Sequence, residues 1–192
     1  MTEGLSHEAS DYIGGKFVRL TGEGIQTRDP ARPERIVWRG TPAIGHVDEA
    51  IAAARKAQQV WMRTPMDFRE RLLRAWASAT TRNVERVAGL ITDEMGKTIA
   101  ESTGEAKLLA EKVELALSGV SKSRTEEFEV TAGATRAGFC KFKPHGVMAV
   151  IGPFNFPAHL ANGHWIPALL MGNAVVFKPS EKTAGVGQLM GE

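Results

Sequence analysis

Residues 146–181 have the sequence GVMAVIGPFNFPAHLANGHWIPALLMGNAVVFKPSE, which decides the fold. Two apolar runs, GVMAVI and AVVF, flank a segment that is long enough to form a helix. Strands made of continuous apolar runs are typical of parallel sheets, which are buried on both faces. The stretch therefore predicts an α/β fold with a strand–helix–strand unit and a right-handed crossover, in which the helix ends at Gly172 and Asn173.

The preceding part of the chain, from residue 47 to about residue 120, has the apolar spacing of amphipathic helices. We expect one helix over residues 47–61. A later helix is expected over residues 83–95, with Gly96 as its C-terminal cap, and another over about 98–117. These helices predict a packed helical layer before the sheet.

A further helix is expected after residue 63. Thr64 can cap its N-terminus and Pro65 suits its first position. The residues predicted to form its core-facing stripe are Phe68, Leu72, Ala75 and Trp76.

Two regions have the patterns of β-structure instead. Residues 12–39 contain short apolar pieces separated by the turn sequences TGEG and RDPARP. Residues 127–143 alternate apolar and polar side chains, as half-exposed antiparallel strands do. The chain is therefore expected to begin with a small β-rich segment and to place half-exposed antiparallel strands before the parallel ones.

The composition is that of an ordinary globular protein, with 43% hydrophobic and 24% charged residues. The net charge of +2 comes from interspersed acids and bases, so the sequence gives no case for a nucleic-acid or membrane surface. Cys140 is the only cysteine, which excludes an intrachain disulfide. With no secretory signal and no apolar run long enough to span a bilayer, we expect a cytoplasmic protein.

The most informative polar residues follow the two predicted parallel strands. Ligands of open parallel sheets bind beyond the carboxyl ends of the strands. Asn155 lies after the first strand, where it is either a ligand-binding group or a turn residue that bonds its own backbone. Lys178 and Glu181 follow the second strand, where they are either ligand-binding groups or a solvated ion pair.

Other kinds of site are disfavoured. The segment GVGQLMG at residues 185–191 places its third glycine one residue late for a dinucleotide fingerprint. A metal site is not expected, because His159 and His164 are five residues apart on a helix and His145 follows a proline. Cys140 lies in an alternating strand and not at a helix N-terminus, so it is not expected to be a nucleophile.

Residues 146–181 resemble the NAD(P)-dependent aldehyde dehydrogenase superfamily in the order Gly-Pro-aromatic-Asn-aromatic-Pro, PAL, GN and VVFKPSE. The upstream sequences VDEAIAAARKAQQVW, RERLLRAWA and DEMGKTIAE also follow the family's order. The sequence NFPAHLANGHWIPALL is similar to that of the family branch that oxidises succinylglutamate semialdehyde in arginine catabolism. The resemblance covers the whole chain and implies an incomplete, N-terminal portion of that fold.

This resemblance implies four parts of the chain. Residues 1–46 would form a β-rich segment and residues 47–122 the helical part of the cofactor domain. Residues 123–145 would form a β-hairpin oligomerisation arm, and residues 146–192 the start of a Rossmann-like NAD-binding unit. The family's catalytic cysteine, glutamate base and catalytic domain are expected to lie outside these residues, so that the chain alone is inactive.

The resemblance also implies roles for individual residues. Asn155 corresponds to the family's oxyanion-hole asparagine, a kind of donor that is worth on the order of 10²–10³ in rate. NAD is the implied cofactor, since a carboxylate at Glu181 would accept a ribose hydroxyl and repel a 2′-phosphate. The residues expected to contact NAD are Ile151, Gly152, Pro153, Phe154, Lys178, Ser180 and Glu181.

Three further residues correspond to the lining of the family's aldehyde tunnel, namely Phe156, His159 and Leu160. Of these, His159 either favours an anionic aldehyde such as succinylglutamate semialdehyde or makes only local hydrogen bonds. The implied partners are the aldehyde and further copies of the chain in a homo-oligomer. Two alternatives stay open: a non-catalytic nucleotide-binding or oligomerising module, and half of a split enzyme completed by a second chain.

Overall fold

The computed structural model describes residues 4–119, 123, 125–131, 133–134 and 136–192. Two antiparallel hairpins come first, where the sequence predicts a β-rich segment. Strand β1 (Ser10–Ile13) pairs with β2 (Lys16–Arg19), and β3 (Ile25–Asp29) pairs with β4 (Arg32–Gly40). The β1–β2 turn is made by Gly14 and Gly15, which both have positive φ, so two glycines are needed there.

The predicted helical layer is confirmed. It comprises α1 (Gly45–Trp61), α2 (Met66–Arg82), α3 (Val84–Met95) and α4 (Ile99–Leu117). Helix α3 ends at Gly96 in the left-handed conformation, and α4 begins with a capping box between Thr98 and Glu101. Local sequence signals therefore set both ends of the α3–α4 connection.

The prediction for α2 was wrong in two details. Thr64 does not cap the helix; its hydroxyl donates to the carbonyl of Val60 at 3.1 Å, and Pro65 occupies the capping position. The predicted stripe is also displaced, because Phe68 and Leu72 are 43% and 46% exposed. The residues of α2 that are buried are Arg69, Leu73, Ala77 and Thr80. Leu72 and Leu73 are equally apolar, so only packing against α4 and the later crossover helix could select between them.

The hairpin before the sheet is present. Strand β5 (Phe128–Thr131) pairs antiparallel with β6 (Ala137–Cys140), and β5 is exposed along its whole length. Residues 132 and 135 of this predicted region lie outside the described residues.

The strand–helix–strand unit is confirmed. Strand β7 (Val147–Ile151) runs parallel to β8 (Ala174–Lys178), with α5 (His159–Leu170) between them and α6 (Ala184–Leu189) after β8. Gly172 follows α5 with φ +83°, and the Asn173 side chain accepts a hydrogen bond from the Gly146 amide at 3.0 Å. The turn between α5 and β8 is thereby tied to the start of β7.

The core lies where α5 and α6 meet the helical layer. Its fully buried members include Ile91 of α3, Leu109 of α4, Ile166 of α5 and Val186 of α6. One polar side chain crosses this core: Asn162 accepts hydrogen bonds from two tryptophan indoles, those of Trp76 and Trp165, and donates to the Leu109 carbonyl. Its hydrogen-bonding capacity is thus used to join α2, α4 and α5.

A buried carboxylate holds the start of α6. Glu94 of α3 accepts hydrogen bonds from the amides of Gly185 and Val186, each at 2.8 Å, and from the Thr27 hydroxyl at 2.6 Å. Burial raises the pKa of Glu94 to about 7, despite these hydrogen bonds, and the neighbouring Asp93 adds to the rise. The carboxyl group therefore titrates near neutral pH.

We expect Glu94 to make folding pH-dependent. Because its folded pKa of about 7 exceeds the ordinary glutamate value of 4.5, its contribution to stability is complete below pH 4.5 and is lost as the pH rises through 7. The loss is on the order of 3 kcal/mol. The free energy of unfolding of the wild type minus that of Glu94→Gln should fall by this amount between pH 4.5 and pH 8, as measured by urea denaturation.

Glu85→Gln is the matched control, because Glu85 is exposed on the same helix. Its difference from the wild type should not change with pH. A difference for Glu94→Gln that also stays constant over this range would contradict the assigned role of burial.

Candidate functional site

The ends of the two parallel strands lie side by side. Ile151 and Lys178 are partners in the register, and the Gly152 amide donates to the Lys178 carbonyl at 2.9 Å. The segment that follows β7 and the segment that follows β8 therefore leave the same edge of the sheet. The predicted site residues from both strands are brought together there, as expected for ligand-binding edges of parallel sheets.

Gly152 is required by the close approach of the two strand ends. A Cβ atom at this position would lie 2.8 Å from the ring of Phe177, a contact that real Cβ atoms essentially never make. Phe177 cannot easily give way, because its ring packs edge-on against Trp165 with centroids 5.0 Å apart. The glycine thus lets the chain turn away from β7 directly over the aromatic cluster.

Asn155 lies in the exposed turn between β7 and α5. Among the described residues, none forms a side-chain hydrogen bond with Asn155. The aromatic residues on either side each lie beneath a lysine. Lys182 is 4.6 Å from the centroid of the Phe154 ring, and Lys97 is 3.6 Å from that of Phe156. The amide of Asn155 is thereby presented to solvent between two anchored rings.

The start of α5 is held from α4. Glu105 accepts hydrogen bonds from the backbone amides of Ala158 and His159 at 3.1 and 3.2 Å. Its other carboxylate oxygen pairs with Lys97 at 2.7 Å. The turn that contains Asn155 is therefore tied at its C-terminal side to a buried ion pair.

The three predicted substrate residues lie beside this turn. Phe156 and Leu160 are partly exposed, and the ring of His159 meets that of Phe156 at an angle of 69°, with centroids 6.1 Å apart. Burial lowers the pKa of His159, and the positive charge of Lys112 lowers it further, so its imidazole is neutral at pH 7. The Nδ1 atom of His159 is buried without a hydrogen-bond partner among the described residues.

The predicted ribose-binding residues occupy the end of β8. Lys178 and Glu181 are mostly exposed, with 3.6 Å between their charged atoms, and Lys178 also donates to the Pro179 carbonyl. The backbone amide of Glu181 and the charge of Lys178 lower the pKa of the Glu181 carboxyl, which is ionised at neutral pH. Ser180 is buried and accepts a hydrogen bond from the Lys182 amide. The carboxylate can accept hydrogen bonds from a hydroxylated ligand, and the ammonium can donate to it.

Phosphate and metal sites gain no support. The Gly185 and Val186 amides, which a phosphate at the start of α6 would need, are already bound by Glu94. In the parts of the chain that the structure describes, no three His, Cys, Asp or Glu side chains are grouped to hold a metal ion. Cys140 is a free, half-buried thiol in β6. No described helix is long and apolar enough to cross a membrane.

Sequence reasoning missed three residues that support the site: Lys97, Glu105 and Lys182. For Glu105 a signal was present in the sequence. The buried positions of α4 are Ser102, Glu105, Ala106, Leu109 and Val113, which follow helical spacing. A glutamate within such a stripe indicates a buried carboxylate that needs partners, since buried charges are almost always paired.

Residues 17–192 match the family described as "Aldehyde dehydrogenase family". The chain is 45% identical over 173 residues to N-succinylglutamate 5-semialdehyde dehydrogenase 1 of Caulobacter vibrioides, which covers 90% of this chain and 36% of that protein. It is 40% identical over 168 residues to N-succinylglutamate 5-semialdehyde dehydrogenase of Novosphingobium aromaticivorans, covering 88% of this chain and 35% of that protein. The chain thus spans little more than a third of the length of these curated relatives.

Solved structures agree with this similarity. A NAD-dependent benzaldehyde dehydrogenase from Corynebacterium glutamicum superposes with a TM-score of 0.84 at 25% identity, covering 99% of this chain and 42% of that one. A NADP-dependent glyceraldehyde-3-phosphate dehydrogenase from Bacillus halodurans, complexed with NADP, gives a TM-score of 0.80 at 29% identity, covering 97% and 39%. The fold is therefore an N-terminal portion of the one these enzymes share.

We expect Gly152→Ala to destabilise the chain by about 1–3 kcal/mol, because the new methyl group overlaps the Phe177 ring. Urea denaturation measures the loss. Gly163→Ala is the matched control, since a Cβ atom there would meet only Lys112 at 3.9 Å, and alanine is the better helix former. Equal stability of the two variants would contradict the close approach at Gly152.

Proposed function

The chain belongs to the aldehyde dehydrogenase family, and we propose that it forms the NAD-binding, N-terminal portion of an enzyme that oxidises a semialdehyde to the acid. The proposed substrate is N-succinylglutamate 5-semialdehyde. The observation that carries the proposal is the exposed amide of Asn155 beside the paired ends of β7 and β8. The curated relatives with this substrate in their names support the choice of aldehyde.

Asn155 is proposed to hold the aldehyde oxygen. When a thiol adds to the aldehyde carbon, this oxygen becomes an oxyanion, and a fixed neutral N–H donor stabilises it. The anchored rings of Phe154 and Phe156 support this role, because they limit the movement of the turn between them. The donor is then oriented before the reaction, so that little reorganisation is needed in the transition state.

NAD is proposed to lie along the edge formed by the two strand ends. It would supply the acceptor for the hydride that leaves the substrate. Ile151 offers a flat apolar surface, since 76% of it is exposed at the end of β7, and Gly152, Pro153 and Phe154 continue that surface. Lys178 and Glu181, with Ser180 between them, would hold the ribose hydroxyls. The ionised carboxylate of Glu181 favours NAD, because it would repel the 2′-phosphate of NADP.

The substrate is proposed to enter past Phe156, His159 and Leu160. The positive charge of Lys112, which is the largest charge effect on His159, favours an aldehyde that carries carboxylates. Two carboxylates of succinylglutamate semialdehyde would suit such surroundings. The thiol nucleophile and the general base are proposed not to be among these 192 residues, since Cys140 lies in the β5–β6 hairpin. That hairpin is proposed to join subunits, because β5 leaves an exposed strand edge.

We expect the isolated chain to bind NAD more tightly than NADP and to show no NAD-dependent aldehyde oxidation. Glu181→Gln should reduce the ratio of the two affinities about tenfold, since the repulsion of the 2′-phosphate is removed. Isothermal titration calorimetry with each dinucleotide measures the ratio. Glu34→Gln, an exposed substitution on β4, is the control and should leave it unchanged. A ratio that is also unchanged in Glu181→Gln would contradict the ribose role.

The catalytic role requires an enzyme that carries the rest of the fold. Joining this chain to the remainder of the Caulobacter vibrioides relative would supply it. In the joined enzyme, Asn155→Ala should lower kcat on the order of 10²–10³-fold, because one oxyanion donor is lost. Steady-state kinetics with N-succinylglutamate 5-semialdehyde measures this change. Gln59→Ala, which removes an exposed amide on α1, is the control.

The same joined enzyme can test whether His159 selects the substrate, independently of the role of Asn155 in catalysis. His159→Leu should raise KM for the dicarboxylic aldehyde and leave KM for an uncharged aldehyde unchanged. Equal effects on both aldehydes would limit His159 to local packing. A joined enzyme that is equally active with Asn or Ala at position 155 would reject the oxyanion role, and one that is inactive with both would favour a nucleotide-binding or oligomerising module.

A further inference from the structure

We infer that Lys97 and Glu105 are positioning residues for Asn155, which hold the turn in front of α5 in the orientation that its amide needs. The inference rests on the proposed function for its catalytic consequence. The ordering of the turn does not depend on that function, because it follows from the contacts that these two residues make.

Helix α5 needs a capping group from elsewhere. Its N-terminal residue outside the helix is Ala158, whose methyl side chain cannot accept a hydrogen bond. The first amides of a helix lack partners within the helix and carry its positive dipole end. The Oε1 atom of Glu105 accepts from both the Ala158 and the His159 amide, so a carboxylate from α4 provides the missing cap.

The carboxylate is fixed rather than mobile. The side chain of Glu105 is completely buried, and its Oε2 atom lies 2.7 Å from the ammonium of Lys97. A buried charge without a partner is costly, so the fold must keep the cation in place. The two oxygens of Glu105 thus have separate tasks: one holds the backbone of α5 and the other holds Lys97.

Lys97 also contacts Phe156, the residue that directly follows Asn155. Its side chain is only 15% exposed, and its ammonium lies 3.6 Å from the centroid of the Phe156 ring. A desolvated lysine in contact with an aromatic face is attracted by the ring quadrupole. Consequently the ion pair fixes the turn at two places, the Phe156 side chain and the Ala158–His159 backbone. Asn155 directly precedes the first of them.

Among the described residues, no hydrogen bond holds the side chain of Asn155, so its direction depends on the backbone on either side. A displacement of a reacting group by about 1 Å can cost on the order of 10²-fold in rate. The pair formed by Lys97 and Glu105 therefore acts through Asn155 without touching the substrate.

Amide hydrogen exchange on the 192-residue chain tests the ordering of the turn. In Glu105→Ala the amides of Ala158 and His159 should exchange about 10- to 100-fold faster, since a charge-assisted hydrogen bond is lost. The amide of Ile91, a fully buried residue in the middle of α3, is the reference for global unfolding, and its rate should change much less. Glu111→Ala, an exposed substitution on the same helix, is the matched control. Rates for Ala158 and His159 within about twofold of the wild type in Glu105→Ala would overturn the inference.

A double variant covers the case in which a single substitution unfolds the chain. Lys97→Met leaves a buried carboxylate without its cation and is expected to disturb the whole fold. Lys97→Met combined with Glu105→Gln removes both charges but keeps an oxygen that can accept from the two amides. It should restore the protection of Ala158 and His159 that Glu105→Ala loses. Failure of the double variant to restore it, in a chain that remains folded, would also overturn the inference.

Steady-state kinetics of the joined enzyme test the consequence for Asn155. Glu105→Ala should lower kcat about 10- to 100-fold, because the oxyanion donor is misdirected, and KM should also rise, since Phe156 and His159 lie on the proposed substrate path. An unchanged kcat, in an enzyme that loses activity with Asn155→Ala, would refute the positioning role. If Asn155→Ala itself has no effect, the proposed function fails, and the hydrogen-exchange result alone decides whether the pair orders the turn.

Discussion

The parallel pairing of β7 with β8 is the constraint on which the rest of the arrangement depends. Parallel neighbours need a crossover, so α5 must pass over the sheet and pack against the helical layer. The same pairing sets Ile151 opposite Lys178, which places two chemically different chain segments at one edge. The close approach at Gly152 follows from it, because the chain must leave β7 directly over Phe177.

Buried carboxylates solve a problem that this topology creates. Helices α5 and α6 both begin inside the protein, and neither has a capping hydrogen bond from its own N-cap side chain. Each receives a glutamate from the helical layer instead, Glu105 for α5 and Glu94 for α6. The two differ in charge balance, since Glu105 has a lysine beside it and Glu94 has a threonine hydroxyl. Burial raises the pKa of Glu94 to about 7, because it penalises the charged form more than the hydrogen bonds to Glu94 favour it.

The sequence was a good guide wherever the controlling interaction is local. The Gly96 cap acts within a few residues, and helix α3 ends where this glycine predicts. It was a poor guide on α2, where two adjacent leucines fit the same helical period. The choice of Leu73 over Leu72 depends on which helices lie nearby, and periodicity contains no such information.

The site divides in the same way. By itself the sequence determined the apolar strands, the glycine–proline exit from β7, and Asn155 between two aromatic residues. Membership of the aldehyde dehydrogenase family could also be recognised from these motifs. Only the tertiary structure decided that Lys97 and Glu105 meet the start of α5, since Glu105 and Ala158 are 53 positions apart. Contacts of this kind arise from packing between helices, so their partners become visible only after the chain has folded.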